Sequence, residues 1–313
     1  MPPPPPAPRP SAPAATPRRI AALALPALVV LAAEPLYVLV DTAVVGHLGS
    51  VSLAAVAVGG TVLSVAVWLG TVMAYGTTGR AARRFGAGDR AAAVAEGVQA
   101  SWLALLVGLA FALLMQPLAG PIATAVLGDA AAGTPAPGQA AGSAAVAEAA
   151  AQWLRIAAFG APGLLLAAAG NGWLRGVQDA RRPVRYVLWP NLLSAALCPL
   201  LVYPAGLGLT GSAVANVAAQ TLSGGLFVGA LVAERVSLRP APALVARHLT
   251  LGRDLLIRGV AFQACWLSAT AVAARFGIAA VGAHQIALQL WFFSALILDA
   301  VAIAAQSLVG AAL

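Results

Sequence analysis

The stretch Ile20-Ala-Ala-Leu-Ala-Leu-Pro-Ala-Leu-Val-Val-Leu-Ala-Ala-Glu-Pro-Leu-Tyr-Val-Leu-Val-Asp-Thr-Ala-Val-Val45 decides the fold. It exceeds the roughly 20 apolar residues that span a bilayer as a helix. Two carboxylates, Glu34 and Asp41, interrupt it. A charge near the centre of a spanning helix costs roughly 2.5–3.5 kcal/mol on insertion scales, so such a residue usually faces a water-filled cavity and handles ions or protons. Glu34 lies almost two helical turns before Asp41, which puts both acids on roughly one face. The competing reading of each acid is a permanently protonated hydrogen-bonding group.

The rest of the chain repeats the pattern. Of its 313 residues 61% are hydrophobic and 9% charged, against about 25% charged in soluble domains. Apolar runs occur at 20–45, 53–78, 92–117, 146–170, 184–203, 208–233, 254–274 and 279–306. They predict an all-α, polytopic membrane bundle of about eight transmembrane helices, because a helix satisfies its own backbone groups in lipid.

The net charge of +8 comes from 18 arginines and no lysine. Arg9, Arg18 and Arg19 precede the first run; Arg80, Arg83, Arg84 and Arg90 fall between the second and third. Arg175, Arg181, Arg182 and Arg185 fall between the fourth and fifth, and Arg235, Arg239, Arg247, Arg253 and Arg258 between the sixth and seventh or just inside the seventh. Arginine at every second connection follows the positive-inside rule and predicts a cytoplasmic N-terminus. The charge is topological, and no nucleic-acid partner is expected. Residues 1–19, rich in proline, read as a disordered cytoplasmic tail. Cys198 and Cys265 both fall inside predicted helices, which implies no disulfide framework. The three histidines are far apart, and neither HExxH nor a GxxxxGK[ST] phosphate loop occurs. No enzyme, metal site or cofactor is expected.

A shift of 228 residues sets the first two runs on the last two, with Thr42, Ala43, Val44, Gly49 and Ala55 meeting identical residues at Thr270, Ala271, Val272, Gly277 and Ala283. Such a parallel repeat is one of two common transporter plans, with substrate bound between the halves. It predicts a complete six-helix N-lobe over 20–240 and the first two helices of a C-lobe over 241–313, a chain that looks truncated.

Glu34-Pro-Leu-Tyr-Val-Leu-Val-Asp-Thr-Ala-Val-Val-Gly-His-Leu-Gly49 resembles the first-helix signature of the multidrug and toxic compound extrusion (MATE) family, in its bacterial DinF-like branch. Asn171-Gly-Trp-Leu-Arg-Gly-Val-Gln-Asp179 with Arg182-Pro183, and Gly208-Leu-Thr-Gly-Ser-Ala-Val-Ala-Asn216, are similar too. So are Gly282-Ala-His-Gln-Ile286 and Ala304-Ala-Gln-Ser-Leu-Val-Gly310. The resemblance implies twelve helices in two six-helix lobes that alternate between inward-open and outward-open forms. It also implies multidrug efflux driven by a proton or sodium gradient, small amphipathic cationic substrates, and a monomer in the bacterial inner membrane.

By the same resemblance, the N-lobe cation site of archaeal members falls on Asp41 in helix one and Asn171 in helix four. Its helix-five pair falls on Ser194 and Cys198, and its helix-six threonine on Asn216. A helix-five carboxylate is missing here, and thiol sulfur is a poor ligand for a hard cation, so the coupling ion is expected to be a proton. Pro26 matches a helix-one proline linked to bending. Asp299, Gln263 and Gln285 are candidate cavity residues in the second half. Two alternatives stand beside efflux: a lipid-linked-saccharide flippase of a related superfamily, which needs a cationic central cavity, and a non-transporting truncated remnant.

Overall fold

The structure is a computed structural model that describes residues 16–130, 139–241, 257–262, 264–265, 268–269, 272 and 278–312. Among the described residues, eight α-helices have defined bounds: α1 (Pro17–Gly46), α2 (Ser50–Gly86), α3 (Arg90–Ala130), α4 (Gln139–Ala157), α5 (Ala161–Gly176), α6 (Arg181–Val202), α7 (Leu209–Ala233) and α8 (Ile278–Ala312). A single 3-10 turn, Ala158–Gly160, joins α4 to α5, and together they make one span. Seven spans among the described residues are long and apolar enough to cross a membrane. Of the predicted helix over 254–274, residues 257–262, 264–265, 268–269 and 272 are described and helical; the rest, Gln263 included, lies outside the described residues, as does most of the proline-rich tail.

The helices outrun the apolar stretches. Arg80, Arg83 and Arg84, expected in a connection, ride on the last turns of α2 instead. Long arginine stems cover apolar surface while their heads reach polar partners, so the helix need not stop where the hydrophobic run does. Arg80 pairs with Glu96 of α3 at 3.3 Å. Arg175, also assigned to a connection, lies within the last turn of α5.

Short turns close the hairpins. Gly49, at φ +116°, opens α2 in a backbone conformation that side chains resist. Asp89 caps α3 by accepting the Ala92 N–H at 2.8 Å. Asp179 accepts the Arg181 and Arg182 N–H groups, both at 3.1 Å, and so starts α6.

α5 is the central element and packs on α2, α3 and α7. Close approach is allowed by small residues, as elsewhere between membrane helices. A Cβ on Gly172 would sit 2.7 Å from the Ala74 carbonyl oxygen of α2. Trp173, Leu174 and Leu165 are fully buried beside it. α8 lies across α1 and α2, held where the Gln306 amide donates to the Tyr75 carbonyl at 2.9 Å and the Ser307 hydroxyl to the Arg175 carbonyl at 2.6 Å.

The polar end of the bundle is tied by charge. Arg90, at the start of α3, holds Glu234, just past α7, in two bonds of 2.8 and 3.2 Å. Arg182 of α6 adds two more, at 3.2 and 3.3 Å, and also bonds Asp179. The Arg90 hydrogen bonds, outweighing partial burial, hold the Glu234 carboxyl below its ordinary range, with the charge of Arg90 and the Arg182 contact acting the same way. Burial pushes Asp179 up, but its bonds to Arg182 and to the helix start prevail and leave it low.

Candidate functional site

Asp41 sits a turn and a half before the end of α1 and is 6% exposed. Its Oδ1 accepts two hydrogen bonds, from the Ser212 hydroxyl of α7 at 2.7 Å and from the Cys198 thiol of α6 at 3.1 Å. The Trp153 indole N–H of α4 donates to the Ser212 oxygen at 3.2 Å. One carboxylate thus gathers α1, α4, α6 and α7. The Tyr203 hydroxyl fixes the end of α1 by donating to the Val44 carbonyl at 2.7 Å.

One turn before Asp41, Tyr37 is equally buried, and its phenol oxygen meets the Asn216 amide at 3.4 Å. Ser194, one turn before Cys198, lies beside Tyr37 with its hydroxyl enclosed. The Asn216 amide oxygen is enclosed as well, and unbonded. Tyr37, Asp41, Thr42, Ser64, Trp153, Asn216 and Gln220 all line a cavity of about 380 Å³ with otherwise apolar walls. That volume is within the range of small-molecule sites, roughly 300–1,000 Å³.

Chemically, the cluster is a carboxylate solvated by neutral donors. None of the groups bonded to Asp41 is a second carboxylate or a cation. Among the described residues there is no group of three or more His, Cys, Asp or Glu side chains that could hold a metal. The Ser212 hydroxyl and the Cys198 thiol both donate to Asp41, and the Ser212 oxygen in turn accepts from Trp153.

The predicted site residues divide. Asp41, Ser194, Cys198 and Asn216 come together. Asn171 does not join them: it is 8% exposed and lines a second cavity of about 240 Å³ with Tyr75, Arg175 and Asp299. Pro26 lies inside α1 and lines a small cleft against Arg175 and Ser307. Glu34 and Gln285 belong to α1 and α8, respectively. Ser212, Tyr37 and Trp153 were not picked out from the sequence. Ser212 stands one helical turn before Asn216 in the quoted Gly208–Asn216 motif, so helical spacing puts both on one face of α7.

Comparison with known proteins bears on the whole arrangement. The sequence profile of the MatE family matches residues 26–200, more than half the chain. The chain belongs to the MATE family. It is 34% identical to Protein DETOXIFICATION 44, chloroplastic, from Arabidopsis thaliana, over 92% of this chain and 56% of that protein. It is also 34% identical to DNA damage-inducible protein F of Escherichia coli (strain K12), over 91% of this chain and 61% of that protein. The chain therefore spans little more than half the length of these relatives, and its likeness is DinF-like. Among solved structures, a crystal structure of a MATE protein in the bent conformation superposes with a TM-score of 0.81 at 24% identity, covering 94% of this chain and 65% of that one. This MATE chain is a multi-pass helical membrane protein, as its spans require.

Proposed function

We propose that this MATE chain supplies the coupling lobe of a secondary active exporter. Asp41 takes up a proton from outside, which favours one packing of α1, α6 and α7 and releases the bound compound. Loss of the proton to the cytoplasm restores the form that accepts the next one. The compounds are small amphipathic molecules carrying positive charge, which an apolar cavity with one carboxylate suits. The protein works as a monomer in the bacterial cytoplasmic membrane with its N-terminus inside.

The observation that carries this reading is a buried carboxylate that faces a cavity and is held only by neutral donors. A charge inside a membrane protein with no ionic partner is a functional group by default. Proton coupling is favoured over sodium because sulfur stands at the Cys198 position, and a hard cation prefers charged oxygen ligands. A lipid-linked-saccharide flippase would place basic groups around this carboxylate; no arginine lines the Asp41 cavity among the described residues.

The test is transport by the native polypeptide in proteoliposomes, with tetraphenylphosphonium followed by an ion-selective electrode. A pH gradient should drive its movement, a sodium gradient at equal pH should not, and Asp41→Asn should abolish the pH-driven flux. Unchanged flux in Asp41→Asn would overturn the proposal.

A further inference from the structure

The second cavity, about 240 Å³, has a different chemistry from the first. Arg175 enters it from α5 and Asp299 from α8, within electrostatic range of one another and of Tyr75. No ion pair within 4.0 Å joins Arg175 or Asp299 to any partner among the described residues. One turn before Arg175, on the same face of α5, Asn171 is 8% exposed and lines the cavity. Its amide oxygen is enclosed and has no hydrogen-bond partner. Buried polar groups are normally bonded, and an exception asks what they are for.

The cavity is also held in shape. The Ser307 hydroxyl bonds the Arg175 carbonyl and the Gln306 amide bonds the Tyr75 carbonyl, so α8 is pinned to both α5 and α2 beside these groups. Preformed groups bind without first paying an ordering cost. Val67, Leu164 and Gln220 line both this cavity and the Asp41 cavity, which makes the two neighbours along one wall.

A guanidinium and a carboxylate that share a cavity without pairing suit a ligand that brings both signs. We propose that this cavity is a subsite for zwitterionic amphiphiles, with Arg175 as the residue that selects for a carboxylate. Arg175 takes the carboxylate in a forked, charge-assisted contact. Asp299 faces the cationic or N–H end, Asn171 lines the wall beside Arg175, and the apolar body extends past Val67 and Leu164 toward the Asp41 cavity. The subsite gives a substrate class to the export reading and rests on it for its role, but its binding test does not depend on transport.

Rhodamine B and its ethyl ester are the probes. Both keep the delocalised cation and the apolar rings; only the free acid has a carboxylate. Binding to the purified chain in dodecyl maltoside micelles is read by fluorescence anisotropy. The wild type should prefer the acid by about tenfold, the scale of one charge-assisted hydrogen bond. Arg175→Gln should remove that preference by weakening the acid alone, and Arg175→Lys should keep part of it. Asp299→Asn should weaken both dyes together and leave the preference standing, which serves as the reading if Arg175→Gln does not fold. A wild type without preference, or an unchanged preference in Arg175→Gln, overturns the subsite. Asp41→Asn separates the two readings. It should retain the preference for the acid, and loss of the preference there with retention in Arg175→Gln would move the carboxylate contact to the first cavity. Conversely, absent pH-driven efflux with the Arg175-dependent preference intact sinks the export reading alone.

Discussion

Glu234 and Asp41 are two shielded carboxylates on the same bundle, and their surroundings are opposite. Glu234 lies just past α7 at the arginine-rich end, where Arg90 and Arg182 hold it in four hydrogen bonds. Asp41 lies inside α1, where a hydroxyl and a thiol hold one of its oxygens and a cavity adjoins it. A carboxylate between two guanidiniums is fixed in charge and ties three helices together. A carboxylate with neutral partners keeps its geometry whether or not it holds a proton, and it lies where a proton or a cationic ligand can reach it. The first arrangement is architecture; the second is a device that can change state.

The comparison breaks most sharply if Asp41 is given the surroundings of Glu234. Asn216→Lys places an ammonium in the same cavity, one turn along α7 from Ser212. It should abolish pH-driven tetraphenylphosphonium flux in protein that still purifies as a single species; flux at the wild-type rate would mean that Asp41 does not need to be unpaired. Ser212→Ala tests the neutral donors themselves. It removes a donor from Asp41 and strands the buried Trp153 N–H, which should cost about 1–3 kcal/mol. Chemical denaturation in micelles checks the figure, and Cys198→Ala should cost less because a thiol is a weak donor.

Glu234→Gln tests the other side. It should lower stability by about 1–2 kcal/mol, between the values for exposed and buried ion pairs, and leave the direction and coupling of transport unchanged. Glu234 and Asp179 both have depressed carboxyl values in the folded protein. The stability they lend is fully present above the ordinary carboxylate range, roughly pH 4, and is lost as pH falls through their lower folded values. Melting temperatures measured downward from pH 5 should therefore fall less steeply in Glu234→Gln than in the wild type.

Much of this contrast was legible in the chain. Asp41 stands out because a single charge in a long apolar run has few structural excuses. The all-helical bundle follows from the same runs, since lipid leaves the backbone no other partner. The rest depended on packing. Ser212 and Asn216 lie one turn apart on one helix face, so spacing could not say which meets Asp41; the position of Trp153 decides it. Cys198 could be placed only through the family resemblance, because a cysteine in an apolar helix is ordinarily a small core residue. Arg175 looked like one more basic residue of a connection, yet its helix continues past the apolar run and carries it into a cavity. The separation of Asn171 from the Asp41 cluster is likewise invisible in spacing, since it is set by how α5 turns against α2 and α8.

The most direct test of the central claim is proton release. Tetraphenylphosphonium is added to the purified native protein in weakly buffered micelles near pH 7, with a pH-sensitive dye as the readout. If Asp41 is the coupling carboxylate, binding should expel about one proton per cation bound by linkage, and Asp41→Asn should release none while still binding the cation. Equal release from both proteins would contradict the account.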